Sequence, residues 1–193
     1  MYKLLLMALT PTSQIQLGFR APDFNLSEPL SGKTLGLKEL SGSKGSLILF
    51  ICNHCPYVIH IIDGIAELAN DYQKKGISFI AINSNDVENY PEDSPENMSK
   101  FAQDHDLTFP YLYDESQKVA KDYDAACTPD FNLLDENGIV IYRGRFDAAR
   151  PGNGIEINGN DMKDAFDRLL AGEKQLDEQL ASIGCNIKWK NER

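Results

Sequence analysis

The sequence has little positive charge and no long apolar run. Its 193 residues carry 19 Lys and Arg against 29 Asp and Glu, a formal net charge of −10. A surplus of acid disfavours nucleic acid and anionic membrane surfaces as partners. No apolar run approaches the ~20 residues that a membrane-spanning helix needs, and the run at residues 4–9 is shorter than the roughly 7–15 apolar residues of a signal peptide. We therefore expect a cytoplasmic protein that binds neither nucleic acid nor membrane.

Cysteines are also few. The chain has four of them, and in a reducing cytoplasm cysteines are free or redox-active rather than structural disulfides. A composition that is 42% apolar and 25% charged is ordinary for a globular protein, and the length suffices for one domain with a full core. The sequence has no internal repeat, and we expect no cofactor and no metal in the primary interpretation.

Strands and helices alternate along the middle of the chain. Residues 46–51 and 77–83 are continuous apolar runs, as buried central strands should be. Between them apolar residues recur every three or four positions as far as Tyr72, and Gly76 follows, which predicts a helix. Weaker patterns predict further helices at 96–104, 116–123 and 162–170, and further strands at 111–113, 131–134 and 139–143.

Two turn signals and two long loops complete this interpretation. Extended pieces at 24–26 and 34–37 flank Ser31-Gly32-Lys33 and predict an N-terminal β-hairpin, while Asn137-Gly138 predicts a second hairpin. We therefore expect an α/β fold with a mixed central sheet, parallel at first and antiparallel later, flanked by helices. Two polar loops, at 84–95 and 147–160, are long. Loops of this length in a compact domain are usually either functional or disordered.

One cysteine lies where a reactive thiol is expected. Cys55 falls at the turn from the strand 46–51 into the following helix, and Pro56 stands at the first helical position, where a missing N–H costs nothing. A helix N-terminus can lower a cysteine pKa from about 8.5 into the ~3.5–7.5 range, and the thiolate is the attacking form. The position predicts that Cys55 is a nucleophile.

Cys52 lies three residues before Cys55. That spacing allows a disulfide or a metal clip. Sulfur together with imidazole suits copper(I) or zinc, so Cys52, Cys55 and His54 or His60 form an alternative, metal-binding set. A third interpretation is that the cysteines are buried fillers, because free cysteine is among the most buried residues.

Four stretches resemble the thioredoxin-like redoxins, in the branch of the alkyl hydroperoxide reductase and thiol-specific antioxidant (peroxiredoxin-like) proteins. They are G-F-R-A-P-D-F-N-L at 18–26, the spacing from Phe50 through Cys55 to residues 67–72, residues 101–114, and A-C-T-P followed by F-N-L-L-D-E-N-G within 126–138. The resemblance covers residues 18–170. It implies a thioredoxin-like domain at 17–172, between an N-terminal extension at 1–16 and a C-terminal tail at 173–193.

The resemblance also implies roles for particular residues. Cys55 takes the attacking position, and Pro129 takes that of a cis proline whose preceding residue, Thr128, holds an incoming thiol or disulfide. Cys127 should then lie near Cys55. Peroxiredoxins usually carry a Thr and an Arg that activate peroxide, and Cys52 and Thr128 stand in those places here, so both activating groups are replaced.

Cys185 lies in the tail, in a segment similar to the one that ends relatives of the branch, and a thiol there suits a resolving cysteine. Arg143 and Arg145 would supply positive charge if their strand borders the site, or form salt bridges on the hairpin.

Together these features predict a thiol oxidoreductase. Cys55 attacks a disulfide or a peroxide, and Cys52, Cys127 or Cys185 resolves the mixed disulfide or sulfenic acid. The reductant would be a thiol/disulfide protein partner or a small thiol. The alternatives are the copper(I) or zinc module and an interaction module whose thiols are incidental.

Overall fold

The computed structural model of the protein describes residues 9–13 and 16–190. The apolar run at 4–9 lies, except for Leu9, outside the described residues, and so does most of the predicted N-terminal extension. In the part of the chain that is described, no helix is long and apolar enough to cross a membrane.

The described residues form ten strands and five α-helices. The strands are β1 (Leu9–Pro11), β2 (Asn25–Glu28), β3 (Lys33–Gly36), β4 (Gly45–Phe50), β5 (Ile77–Asn83), β6 (Tyr111–Tyr113), β7 (Cys127–Thr128), β8 (Asp130–Asp135), β9 (Val140–Tyr142) and β10 (Ile183–Asn186). The helices are α1 (Leu37–Leu40), α2 (Pro56–Tyr72), α3 (Pro95–Asp104), α4 (Lys118–Asp122) and α5 (Asn160–Ala171), and 3-10 turns lie at Gln73–Lys75 and Pro91–Asp93.

A seven-stranded mixed sheet has the order β3-β2-β6-β5-β4-β8-β9. Its centre is parallel, because β5 pairs in parallel with both β4 and β6. Strands β8 and β9 then continue it antiparallel on one side, and β2 and β3 on the other. The predicted α/β class, with a mixed sheet flanked by helices, is confirmed.

The sheet is covered on both faces. Along β4, Leu47 and Leu49 belong to a core shared with α2, α3 and α5, whereas Ile48 and Phe50 belong to a second core shared with α1 and α4. This alternation is the two-residue period of a strand. Because both faces are buried, β4 is apolar throughout, as its sequence predicted.

Two predicted elements differ in detail. The N-terminal hairpin is an edge of the main sheet, since β2 pairs with β6 through Ser27 and Tyr113. The helix predicted at 116–123 is shorter, because Gln117 has a left-handed φ of 61° and α4 begins only at Lys118.

A second, three-stranded sheet has the order β1-β10-β7 and was not predicted. Its strands come from the N-terminal extension, the C-terminal tail and the loop before β8. The tail therefore packs on the domain, although the predicted boundaries at 17 and 172 stay a prediction.

Candidate active site

Cys55 occupies the turn from β4 into α2. Its backbone is extended (φ −70°, ψ 119°), and Pro56 is the first helical residue. The carbonyl of Cys55 accepts the first hydrogen bonds of the helix, from the N–H groups of Val58 and Ile59, each at 3.0 Å. Cys55 is thus the N-cap of a helix of 17 residues, whose N-terminal partial positive charge favours a thiolate.

The loop that joins β7 to β8 faces this turn. The Thr128–Pro129 peptide bond is cis, as the resemblance implied. The Cys55 Sγ lies 3.1 Å from the carbonyl oxygen of Thr128, and the Cys52 Sγ lies 3.4 Å from the Thr128 hydroxyl. The predicted residues Cys52, Cys55, Thr128 and Pro129 therefore come together.

Cys185 completes the cluster. Strand β10 runs antiparallel to β7 with Cys185 opposite Thr128, and this pairing places the Cys185 Sγ 3.0 Å from the Cys55 Sγ. All four cysteines are free and buried.

Cys127 faces other groups. Its Sγ lies 3.9 Å from the Thr12 hydroxyl and donates to the Pro129 carbonyl at 3.5 Å. Burial raises the pKa of this thiol, and the nearby Asp130 carboxylate raises it further. Cys127 is therefore a poorer thiolate than Cys55.

The three clustered thiols differ in acidity. A hydrogen bond from Cys185 lowers the pKa of Cys55, with further hydrogen bonds from Cys52 and Thr128, and these outweigh the opposing effect of burial. The same contact with Cys55, together with burial, raises the pKa of Cys185 and that of Cys52. The contacts among the three thiols thus favour ionisation of Cys55 over ionisation of Cys52 or Cys185.

A buried carboxylate, Asp93, supports the loop between Cys52 and Cys55. It is fully buried and accepts hydrogen bonds from the Asn53 N–H at 2.8 Å and the Asn85 side-chain amide at 2.7 Å. His54 Nδ1 lies 2.8 Å from the same carboxylate, and this contact raises the pKa of His54. Asp93 was not predicted as a site residue. It lies in the polar loop 84–95, and the length of that loop was the one signal in the sequence that pointed to this region.

Cys52, His54 and Asp93 have ligand atoms that lie within 4.8 Å of one another, and among the described residues they are the one His, Cys, Asp or Glu group that is close enough to hold a metal ion. The predicted metal set was Cys52 and Cys55 with His54 or His60, so it shares Cys52 and His54 with this group but did not include Asp93.

The two arginines of the predicted hairpin region are engaged in structural contacts. Arg143 is buried, lies 3.8 Å from Asp130 and donates to the Tyr123 carbonyl at 2.6 Å. Arg145 pairs with Asp161. Burial raises the pKa of Asp130 to about 7, although Arg143 opposes that shift.

A cysteine at a strand-to-helix junction, opposite a cis-proline loop and in contact with further thiols, is the arrangement of a thioredoxin-like oxidoreductase. The chain belongs to the AhpC/TSA family, whose model matches residues 17–143.

Comparison with individual proteins agrees with this class. The chain is 31% identical over 131 residues to the thiol-disulfide oxidoreductase ResA of Geobacillus thermodenitrificans, a match that covers 68% of this chain and 70% of that protein. A crystal structure of an uncharacterized conserved protein from Geobacillus kaustophilus superposes with a TM-score of 0.95 at 49% identity, covering 98% of this chain and all of that one.

The fold also matches more distant structures. The thioredoxin domain of a thiol-disulfide oxidoreductase from Bacteroides vulgatus superposes with a TM-score of 0.61 at 15% identity, over 79% of this chain and 99% of that one. The predicted thioredoxin-like fold is confirmed.

Proposed function

We propose that the protein is a thiol–disulfide oxidoreductase in which the Cys55 thiolate attacks a disulfide of a partner protein. The observation that carries the proposal is the 3.0 Å contact between the Sγ atoms of Cys55 and Cys185 at the start of α2. Thiolates, not thiols, attack disulfides, and the surrounding thiol donors lower the pKa of Cys55.

The reaction has two exchange steps. In the first, the Cys55 thiolate attacks one sulfur of the substrate disulfide, a mixed disulfide forms, and the other substrate sulfur leaves as a thiolate and takes up a proton. In the second, Cys185 loses its proton and attacks the Cys55 sulfur, so that a Cys55–Cys185 disulfide forms and the remaining substrate thiolate leaves. The substrate gains two electrons, and an external dithiol or thiol returns them to the protein.

The acidity of Cys185 suits this order. The Cys55 thiolate is one cause of the raised pKa of Cys185, both as a hydrogen-bond acceptor and as a charge. Once Cys55 has bonded to the substrate that charge is gone, so the pKa of Cys185 falls when its thiolate is needed.

The contacts favour a disulfide over a peroxide as substrate. The Thr128 hydroxyl lies against the Cys52 thiol, and the buried guanidinium of Arg143 is held by the Tyr123 carbonyl and by Asp130. The guanidinium of Arg143 is therefore not available to polarise a peroxide at Cys55, and the Thr128 hydroxyl is shared with Cys52.

Single-turnover reduction of a peptide disulfide tests the proposal. We expect reduced protein to convert one equivalent and to yield a Cys55–Cys185 linked peptide on mass mapping. Cys55→Ser should abolish the reaction, and Cys185→Ser should trap the mixed disulfide on Cys55. Cys127→Ser is the matched control and should react like the unaltered protein.

Two results would reject the proposal. One is turnover that persists in Cys55→Ser. The other is peroxide consumption that exceeds disulfide reduction at equal concentration. A Cys55–Cys52 link in place of Cys55–Cys185 would keep the nucleophile but assign resolution to Cys52.

A second candidate function is binding of copper(I) or zinc at Cys52, His54 and Asp93, which the proximity of their ligand atoms favours. Titration of the reduced protein with each metal, followed by mass spectrometry under native conditions, tests it. Stoichiometric binding that Cys52→Ser removes and Cys127→Ser leaves unchanged would support the metal site. Binding that neither substitution alters would reject it.

A further inference from the structure

Strand β10 occupies the edge of the cis-proline loop as an added strand. It runs antiparallel to β7, with Cys185 opposite Thr128 and Asn186 opposite Cys127. On either side of this pairing, the Ser182 hydroxyl donates to the Pro129 carbonyl at 2.7 Å and the Ile187 N–H donates to the Ala126 carbonyl at 3.2 Å. An extended segment with a cysteine at the reacting position is therefore already bound there.

The fit of β10 depends on Gly184. A Cβ atom at this position would lie 1.9 Å from the Thr128 carbonyl oxygen and 2.6 Å from its carbonyl carbon. Because those contacts are with backbone, no side-chain rotation relieves them. Only glycine immediately before the cysteine allows a strand to approach Thr128 this closely.

The site is closed while β10 is in place. Cys55 has no exposed surface and Cys185 is 2% exposed, so a disulfide of another protein cannot touch the Cys55 sulfur. The chain before β10, at 173–181, contains no buried residue, whereas Ile187 after it is buried. Displacement of β10 with its upstream segment would break its pairing with β1 and β7 but would expose no buried side chain from 173–181.

We propose that β10 occupies the binding site of the substrate and acts as its internal counterpart, that is, as a segment of the same chain that binds the β7 edge as the substrate does. The partner is an extended protein segment in which glycine precedes the cystine sulfur that reacts, and it adds to the β7 edge in place of β10. This inference rests on the proposed thiol–disulfide exchange and specifies its substrate class.

The return of β10 then serves two purposes. It brings the Cys185 sulfur to the Cys55 sulfur, so that the mixed disulfide is exchanged for the Cys55–Cys185 disulfide and the substrate leaves as a thiol. It also puts Cys185 back opposite Thr128, at the position on the β7 edge that the substrate segment had occupied. The return of β10 therefore both resolves the mixed disulfide and releases the reduced substrate.

Two matched peptides test the substrate class. The first copies residues 182–187 (S-I-G-C-N-I) and carries 5-thio-2-nitrobenzoate on its cysteine, so that attack by Cys55 on the peptide sulfur releases the coloured thiol. In the second peptide valine replaces the glycine. We expect the glycine peptide to react with the reduced protein at least tenfold faster, and both peptides to react equally with free glutathione.

Two protein variants test the displacement. Gly184→Ala should loosen β10, and Ser182→Ala should do so more gently by removing the hydrogen bond to Pro129. We expect both to speed release of the coloured thiol, severalfold or more, and to slow the later release of free peptide, which mass spectrometry follows. Ser99→Ala, which removes a comparable hydrogen bond to the Pro95 carbonyl within α3, should change neither rate.

The outcomes separate the two proposals. If Cys55 attacks neither the peptides nor a small disulfide, the proposed function fails. If a small disulfide reacts while the two peptides react at equal rates, the substrate class is wrong. If the peptides differ but Ser182→Ala, with an unchanged melting temperature, alters neither rate, then β10 does not have to move and its role as an internal counterpart is rejected.

Discussion

The sulfur atoms of Cys55 and Cys185 lie 3.0 Å apart although 130 positions separate the two residues along the chain. One of them starts a helix and the other belongs to a short strand that joins β1 to β7. The Cys55 Sγ donates to the Cys185 Sγ in the reduced protein. The same contact lowers the pKa of Cys55 and so favours its thiolate, and it places Cys185 to attack the Cys55 sulfur once that sulfur is oxidised.

The first prediction concerns that hydrogen bond. Cys185→Ala removes the largest contribution that lowers the pKa of Cys55, so the pKa of Cys55 should rise by about one unit or more, which corresponds to roughly 1.4 kcal/mol per unit. Cys185→Ser keeps a donor and should raise it less. The pH dependence of alkylation, with Cys55 identified by peptide mass, measures the shift. Equal pKa values of Cys55 in all three proteins would contradict the assignment.

The second prediction is that Cys127 takes no part in the redox reaction. Cys127 and Cys55 are both completely buried, but burial followed by the Asp130 charge raises the pKa of Cys127, whereas the pKa of Cys55 is lowered. Iodoacetamide at neutral pH should label Cys55 in the native, reduced protein and leave Cys127 unlabelled until the chain is unfolded with urea. Cys127→Ala should keep the rate of disulfide reduction within about twofold and cost only about 1–2 kcal/mol of stability as a small cavity. If iodoacetamide labels Cys127 in the folded protein as fast as it labels Cys55, the prediction that Cys127 is unreactive is wrong.

The third prediction concerns the support beneath the Cys52–Cys55 loop. Asp93→Ala leaves the Asn53 N–H and the Asn85 amide without their acceptor, and unsatisfied buried donors cost about 1–3 kcal/mol each. We expect the free energy of unfolding to fall by about 3 kcal/mol. The pKa of His54, which the contact with Asp93 raises, should fall on an NMR titration.

An exposed contact of the same chemistry provides the control. Asp63 lies 2.7 Å from His105 Nδ1, with 82% of the Asp63 side chain exposed, and exposed pairs contribute about 0–1 kcal/mol. If Asp63→Ala and Asp93→Ala destabilise the protein equally, burial of Asp93 does not carry the effect that we assign to it.

The parts of the fold that the sequence predicted are those with a local pattern. The apolar runs of β4 and β5 and the recurring apolar positions of α2 follow from which faces are buried, and such periods can be read from neighbouring residues alone. The position of Cys55 was predictable for the same reason, because Cys55 and Pro56 mark the start of α2 within a few residues.

The remaining parts depend on distant partners. Strand β10 has four residues and β7 has two, too few to show a period, and they pair only because the chain returns to the cis-proline loop. Gly184 was the available signal, since a glycine beside a cysteine can mark a close approach of two backbones. The buried carboxylate of Asp93 accepts hydrogen bonds from Asn53 and Asn85. No sequence pattern within the loop 84–95 indicates these partners.

The fourth prediction concerns Asp130, which follows the cis proline. Burial raises its pKa from 3.8 to about 7, against the opposing charge of Arg143. The carboxyl group therefore binds its proton more tightly in the folded protein. Its contribution to stability is complete below the unfolded pKa of 3.8 and is lost as the pH rises through about 7. A shift of this size corresponds to about 4 kcal/mol.

Asp130→Asn cannot titrate, so the stability of the unaltered protein relative to the variant should fall as the pH rises from about 4 to about 8. A constant difference over that range would show that Asp130 is not held protonated by burial. The substitution should also lower the pKa of Cys127, because the Asp130 charge is the second largest cause of its elevation. An NMR titration of the folded variant should show this lower pKa of Cys127 while the pKa of Cys55 is unchanged. Burial and Asp130 thus both raise the pKa of Cys127, whereas the contacts with Cys185 and Cys52 lower the pKa of Cys55.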